Sequence, residues 1–366
     1  MKKETLLLVL LAASVSGARG VSGPGYTITD LGALYPESIN SAARISGYIE
    51  SGGYDCPAAW VNGAISPLQP ENTGGFANAI NNHGLVVGWN NSYGAITWDS
   101  AGQISVLAVA SGAYSAKADA VNDQGVIAGS CQRQPSGLMH ACAWNNGVFT
   151  DLGVPYGLQS TARSINNLGA IAVDSWLYAG QSHSYLYNNG QFTPLLTDVP
   201  SVSYCFSRDI NDAGMVVGAA TLSNGAQVGY LWQNGVTTLL PTPPGKDRPV
   251  PLSVNSSGVI AGSAWDTVHY PGSRACVWNE GQVTFLDDLL APDSGWALVD
   301  ATDINEVGQI VGNGQLNGVA HGFLLTPIPE PSSLAVLSLG AACGWKLSGR
   351  RRRAQGRSGR RCTRAL

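Results

Sequence analysis

Charge is scarce in this chain. Asp, Glu, Lys and Arg make up only 12 % of it, about half the share of an ordinary soluble domain. Of the 20 Lys and Arg, nine follow Pro331, so the part before that point carries eleven against all 24 Asp and Glu. Nucleic-acid binding needs a basic patch on folded protein, and that is excluded. No Cys-x-x-Cys and no zinc-like Cys/His spacing occurs among the 7 Cys and 5 His, so no metal or cofactor is expected. Gly-x-Ser-x-Gly, His-Glu-x-x-His and the P-loop are also missing, which removes the common signatures of hydrolysis, metalloproteolysis and phosphoryl transfer. Gly is plentiful instead, at 46, and hydrophobic residues reach 44 %. That balance suits many short strands joined by tight turns.

The two ends differ from the middle. Lys2 and Lys3, the apolar run Leu6 to Val15 and the small residues Ser16, Gly17 and Ala18 have the form of a secretory signal peptide, residues 1–18, cleaved near Ala18. Export permits disulfides. Cys131 and Cys142 flank one loop and are a candidate pair, with small buried hydrophobe as the competing role for each cysteine.

Between the ends one unit recurs seven times. Asp209-Ile210-Asn211-Asp212-Ala213-Gly214-Met215-Val216-Val217-Gly218 shows it best. Its Asn recurs at Asn40, Asn81, Asn122, Asn166, Asn211, Asn255 and Asn305, in steps of 41, 41, 44, 45, 44 and 50 residues. A β-branched residue leads into Asn-x-x-Gly, and aliphatic residues run on to a second Gly, so the unit reads as strand, turn, strand, with Asn and Gly tolerating positive φ and the second Gly ending the strand. A third strand ends on a large residue, at Trp60, Trp98, Trp144, Tyr187, Trp232, Trp278 and Leu325. A second turn, such as Asn62-Gly63, leads to a fourth strand ending in Leu. Four strands per repeat of this length predict propeller blades.

Copy seven decides how the array ends. Pro327-Ile328-Pro329 follows its third strand and cannot supply a fourth. A spare fourth strand, Tyr26 to Leu31, stands ahead of copy one and shares Thr-Asp-Leu-Gly with the end of copy three. The expectation is an all-β, seven-bladed β-propeller over residues 19–327, closed by the N-terminal strand pairing beside Ala320 to Leu325, which removes two open sheet edges.

The repeat Ile-Asn-x-x-Gly-x-(Ile/Val)-Val-Gly, with His140-Ala141-Cys142-Ala143-Trp144 and His321-Gly322-Phe323-Leu324-Leu325, resembles the bacterial extracellular HAF-repeat family. The resemblance implies a secreted or surface propeller-like protein and no particular activity. The tail, residues 328–366, resembles the PEP-CTERM sorting signal: Pro329-Glu330-Pro331, an apolar run from Leu334 to Trp345, then Lys346 and an arginine run. It implies recognition by exosortase, a membrane-embedded sorting protease, and a surface or extracellular-matrix destination in a Gram-negative bacterium. A dozen apolar residues fall short of the ~20 of a stable span, which suits transient inner-membrane anchoring, and the arginines favour a cytoplasmic end.

Catalytic residues are not evident. First-strand residues near the axis read as mostly Ala, Ser, Ile and Val, and the Asp residues as turn caps. His140, His183 and His321 read as packing plus a hydrogen bond. Aromatics past the second strand form a possible ligand face: Trp89 and Tyr93, Trp176 and Tyr178, Trp265 and Tyr270, with Tyr156, Tyr204 and Trp296 in blade-to-blade loops. They either stack on sugars or a partner protein, or cover neighbouring blades. Two function classes therefore stand: a non-catalytic exported protein binding polysaccharide or protein through one propeller face, or a propeller hydrolase or lyase acting on extracellular glycans. The enzyme requires acids, His or Tyr converging on the channel or one face.

Overall fold

The computed structural model describes residues 25–69, 74–109, 113–177, 181–267 and 272–329. The signal segment 1–18, Tyr178, Tyr270, Glu330 and Pro331 lie outside the described residues. The chain divides into Met1–Thr326 and Pro327–Leu366, and only the first three residues of the second unit are described. Among the described residues no helix is long and apolar enough to cross a membrane.

Seven antiparallel sheets of four strands each make up the first unit. Six are sequential, running from Tyr35–Ile39 through Ala64–Pro67 in blade one to Arg248–Val254 through Gln282–Phe285 in blade six. The seventh pairs Trp296–Ile304, Ile310–Leu316 and Val319–Pro327 with the N-terminal strand Tyr26–Asp30 on the outside. The expected closure is therefore present. The Leu31 amide donates to the Gly322 carbonyl at 2.9 Å and the Gly322 amide to Gly32 at 3.1 Å.

Apolar faces meet between blades. Val87 and Ala95 of blade two pack with Ile127 and Trp144 of blade three, and Val311 and Leu324 of blade seven with Ile39 and Ile45 of blade one. The third-strand residues Trp98, Trp144 and Trp278 are at most 1 % exposed, so they are core, as expected. Trp144 Nε1 donates to the Ala108 carbonyl at 2.7 Å, which satisfies its one polar atom on burial. His140 and His321 also match their expected role, whereas His183 makes a ring contact with Tyr156 at 4.5 Å. His140 Nδ1 lies 3.1 Å from the Asp151 carboxylate and His321 Nδ1 2.8 Å from Asp30. Asp30 and Asp151 are the acids of the two Thr-Asp-Leu-Gly segments.

The repeat Asn differs from expectation. It is the Gly that takes positive φ in the first turn, from 72° at Gly214 to 82° at Gly258, with Ala43 at 58° in copy one. The Asn works through its side chain. Asn40 Nδ2 donates to the Asn81 carbonyl at 3.0 Å, and each next Asn repeats the bond around the ring, until Asn305 donates back to Asn40 at 3.0 Å. Each Oδ1 accepts the backbone amide four residues on, at 2.9 to 3.0 Å. Seven buried amides thus tie every turn to itself and every blade to the next. The Asn62-Gly63 type of turn does have positive φ at both residues, at 52° and 89°, the two-residue hairpin geometry that matches strand twist.

The second Gly is also corrected. Strands such as Ile127–Arg133 continue past it. A Cβ on Gly129 would lie 2.0 Å from the Lys117 carbonyl oxygen of the paired first strand, and one on Gly88 1.9 Å from that of Phe76. The side chain is missing because a backbone passes there. Blade four accommodates Val173 at this place, paired with Ala162.

Cys131 and Cys142, the candidate pair, are free buried thiols, the competing role of small buried hydrophobe. They sit on adjacent strands but off register, Cys131 opposite His140 and Cys142 opposite Gly129. As diagonal neighbours they are still close enough for one thiol to hydrogen-bond the other.

Candidate functional site: the channel and the face at its open end

Every first strand is broken at the same place. The register slips between Pro36 and Ser38, Ala77 and Ala79, Ala118 and Ala120, Ala162 and Ser164, Ser207 and Asp209, Pro251 and Ser253, and Ala301 and Asp303. The skipped residue is the extra one of a β-bulge, three positions before the turn Asn. A bulge sends two consecutive residues to one side. Both then line a central cavity of about 230 Å³. The bulge residues are Glu37, Asn78, Asp119 and Arg163 in blades one to four, then Arg208, Leu252 and Thr302. The next residues form a second ring that includes Asp209 and Asp303.

The axis is therefore not mostly Ala, Ser, Ile and Val. Alternation alone turns the bulge residue away from the channel, and the bulge turns it in. The signal was available as a column: six of these seven positions are polar. Two of the acids are consumed by structure. Asp209 accepts from Ser164 Oγ at 2.7 Å, Ser253 Oγ at 3.0 Å and the Val254 amide at 2.9 Å. Asp303 accepts from the Ile39 amide at 2.8 Å and lies 2.6 Å from Ser253 Oγ, whose single proton the two acids share.

Burial dominates the acids' protonation. Burial, with the charges of Asp300 and Asp303 beside it, raises Glu37 to about 7. Burial raises Asp119 to about 6, against the pull of Arg163 and Lys117. Burial and the charge of Asp209 raise Asp303 to about 6. These groups bind protons more tightly folded than unfolded, so their contribution to stability is complete below about pH 4 and is lost as pH rises through 6 to 7. Thermal unfolding of wild type should fall by a few degrees between pH 5 and 8. Glu37→Gln should flatten that slope and stabilise at pH 8; an unchanged slope would remove Glu37 from this role.

The aromatics gather where the first strands begin. Tyr35 stacks on Tyr48 at 4.9 Å, Tyr48 meets Phe76 edge-on at 4.9 Å, and Phe76 meets Trp89 at 5.4 Å. Lys117 Nζ lies 4.0 Å over the Trp89 ring, a cation–π contact. Trp89, Tyr93 and Lys117 line a cleft of about 300 Å³ between blades two and three. Trp176, Tyr204 and Phe206 line another of about 410 Å³ between blades four and five, with Arg163, Leu177, Gln181 and Ser182.

The expected face is thus partly assembled. Trp89, Trp176 and Trp265 are the ends of second strands or close to them, not loop residues past them. Tyr204 and Trp296 belong to first strands, not to blade-to-blade loops. Trp265 lies under Arg248, whose Cζ is 4.7 Å from its ring centroid. Trp296 packs edge-on against Phe323 and His321 at 6.2 and 6.3 Å, which is the packing role. Sequence reasoning missed Arg163 and Phe206, which share the larger cleft. Among the described residues no cluster of His, Cys, Asp and Glu is arranged to hold a metal.

No family model and no curated protein matches the chain. Solved structures do match. A puromycin hydrolase S511A mutant complexed with PGG is 11 % identical with a TM-score of 0.54, covering 82 % of this chain and 56 % of that one. A chain of a mitotic checkpoint complex is 10 % identical with a TM-score of 0.50, covering 90 % and 100 %. TolB from Acinetobacter baumannii is 12 % identical with a TM-score of 0.47, covering 78 % and 64 %. The chain spans between half and two thirds of the length of TolB and the puromycin hydrolases. At such identities the likeness is one of fold: the chain is a seven-bladed β-propeller, similar to propellers found in enzymes and in proteins of other kinds.

Proposed function

We propose that this is a non-catalytic exported protein of the cell surface or extracellular matrix, and that it binds polysaccharide through the face where the first strands begin. The observation that carries the reading is the cleft of about 410 Å³ formed by Trp176, Tyr204 and Phe206 with Arg163, Gln181 and Ser182 at its walls. Flat apolar rings flanked by a few polar groups are what a sugar ring needs: a face to stack on and donors for its hydroxyls.

A glycan array on the full chain, beside Trp176→Ala, tests it. Wild type should retain a defined set of glycans, and the variant should bind them about tenfold more weakly or worse, as for a central aromatic anchor. Equal binding by both, or a protein ligand displacing no glycan, removes the cleft as the saccharide site. The enzyme reading is favoured by one observation, the raised Glu37 and Asp119 within the channel, since perturbed acids gather at catalytic sites. Shortened oligosaccharides after incubation with wild type, absent with Asp119→Asn, would establish it in place of simple binding.

The sorting motif supports the destination. Recognition of Pro329, Glu330 and Pro331 by an exosortase-type protease should release the propeller from the membrane. Glu330→Ala should then leave the full-length precursor in the membrane fraction of the producing bacterium. Normal release of the variant would count against this route.

A further inference from the structure

We infer that the saccharide taken by the larger cleft is anionic: its carboxylate is held by Arg163 and Arg208 while its ring lies against Trp176 and Tyr204. This rests on the polysaccharide reading above.

Arg163 and Arg208 occupy the same place in adjacent blades, the bulge position of the first strand. The bulge sets both side chains on the channel wall, where the charge of one acts on the other. Two like charges so placed repel, and the acid that pairs with Arg163 already carries several other hydrogen bonds. Asp174 is fully buried and accepts Arg163 Nε at 2.9 Å, Ser184 Oγ at 2.7 Å, and the amide and Oγ of Ser207 at 2.9 Å each. That fixes Arg163 by one edge. Arg208 has no hydrogen bond or ion pair among the described residues. Burial and then the neighbouring Arg163 charge lower its pKa, against the opposing pull of Asp174 and Tyr230.

The other charges are unevenly placed around the ring. Asp119, in blade three, attracts Arg163. Glu37 and Asp303 belong to blades one and seven, across the channel. The uncharged Leu252 stands on the other side of Arg208. The aromatic cleft opens on the cationic side, and Arg163 lines both cleft and channel. A neutral sugar would use the rings and leave the cations to water. A uronate would use both, since a planar guanidinium matches a carboxylate with two parallel hydrogen bonds.

The test is titration calorimetry of the full chain with galacturonate oligosaccharides and with the same oligosaccharides after reduction of their carboxyl groups. The acidic form should bind at least about tenfold tighter, and only its affinity should fall steeply with salt. Arg208→Ala should erase the acidic-to-neutral ratio, Arg208→Lys should keep part of it, and Trp176→Ala should weaken both ligands. Since Arg208 has no protein partner, its variants should melt with wild type. An acidic-to-neutral ratio near one in wild type, or a ratio unchanged in Arg208→Ala, overturns the anionic inference and leaves saccharide binding standing. Binding of neither form overturns both.

Discussion

Removal of residues 25–32 should cost this protein at least ~5 kcal/mol, which is as much as many domains possess. The segment supplies the outer strand of the seventh sheet. Leu31, 2 % exposed, belongs to the core shared by blades seven and one, and Tyr26 and Ile28 pack on the core shared by blades six and seven. Burial of a Leu side chain alone is worth about 2–3 kcal/mol. Loss of the strand also leaves Val319–Pro327 as a free edge, open to pairing with other chains. Chemical denaturation should show a lower midpoint with a broadened transition, and size-exclusion chromatography should show association. A truncated chain that stays monomeric and unfolds like wild type would mean that closure contributes nothing.

Asn166→Ala should destabilise by about 3 kcal/mol, the largest effect expected of a single substitution in a turn. Asn166 is 4 % exposed. Its Oδ1 accepts the Leu168 and Ala170 amides at 3.1 and 2.9 Å, and its Nδ2 donates to the Asn211 carbonyl at 3.0 Å. Alanine leaves the amide of buried Ala170 unpaired, at ~1–3 kcal/mol, and loses the turn bond to Leu168, which is 76 % exposed and can turn to water. The Asn211 carbonyl keeps its bond from the Gly214 amide, so it adds little. Asn166→Asp separates the two roles. It keeps the turn acceptor but sets a carboxylate oxygen against the Asn211 carbonyl, so it should destabilise by a comparable amount at pH 7 and recover towards acid pH as the carboxyl becomes a donor. A stability difference independent of pH would place the whole effect in the turn and none between blades.

The architecture could be read from the chain because its determinants are periodic. Positive φ at the first-turn Gly is a local demand and repeats with the blade. The incomplete copy seven and the spare strand at Tyr26 were legible because Pro and alternating residues act locally too. The His–Asp contacts were half legible, since Asp30 and Asp151 recur in the same four-residue segment but their partner comes from another strand. The inter-blade bond of the Asn was not, because its acceptor lies 41 to 50 residues away, or 265 for the closing bond, and the same residue has a sufficient local role. The channel failed for a different reason. Strand reasoning assumes a period of two, and a bulge in every first strand shifts that period by one residue. Glu37, Asp119, Arg163 and Arg208 thereby pass from the expected interior side to the channel. The ligand clefts could not be located either, since Trp176 and Tyr204 become neighbours only through the angle between two blades.

Hydrogen exchange of the intact chain tests ring closure most directly. Peptides covering Tyr26–Leu31 should exchange as slowly as Val319–Pro327, because the two segments protect each other's amides and open together. Fast exchange of Tyr26–Leu31 beside a protected Val319–Pro327 would contradict the closed ring.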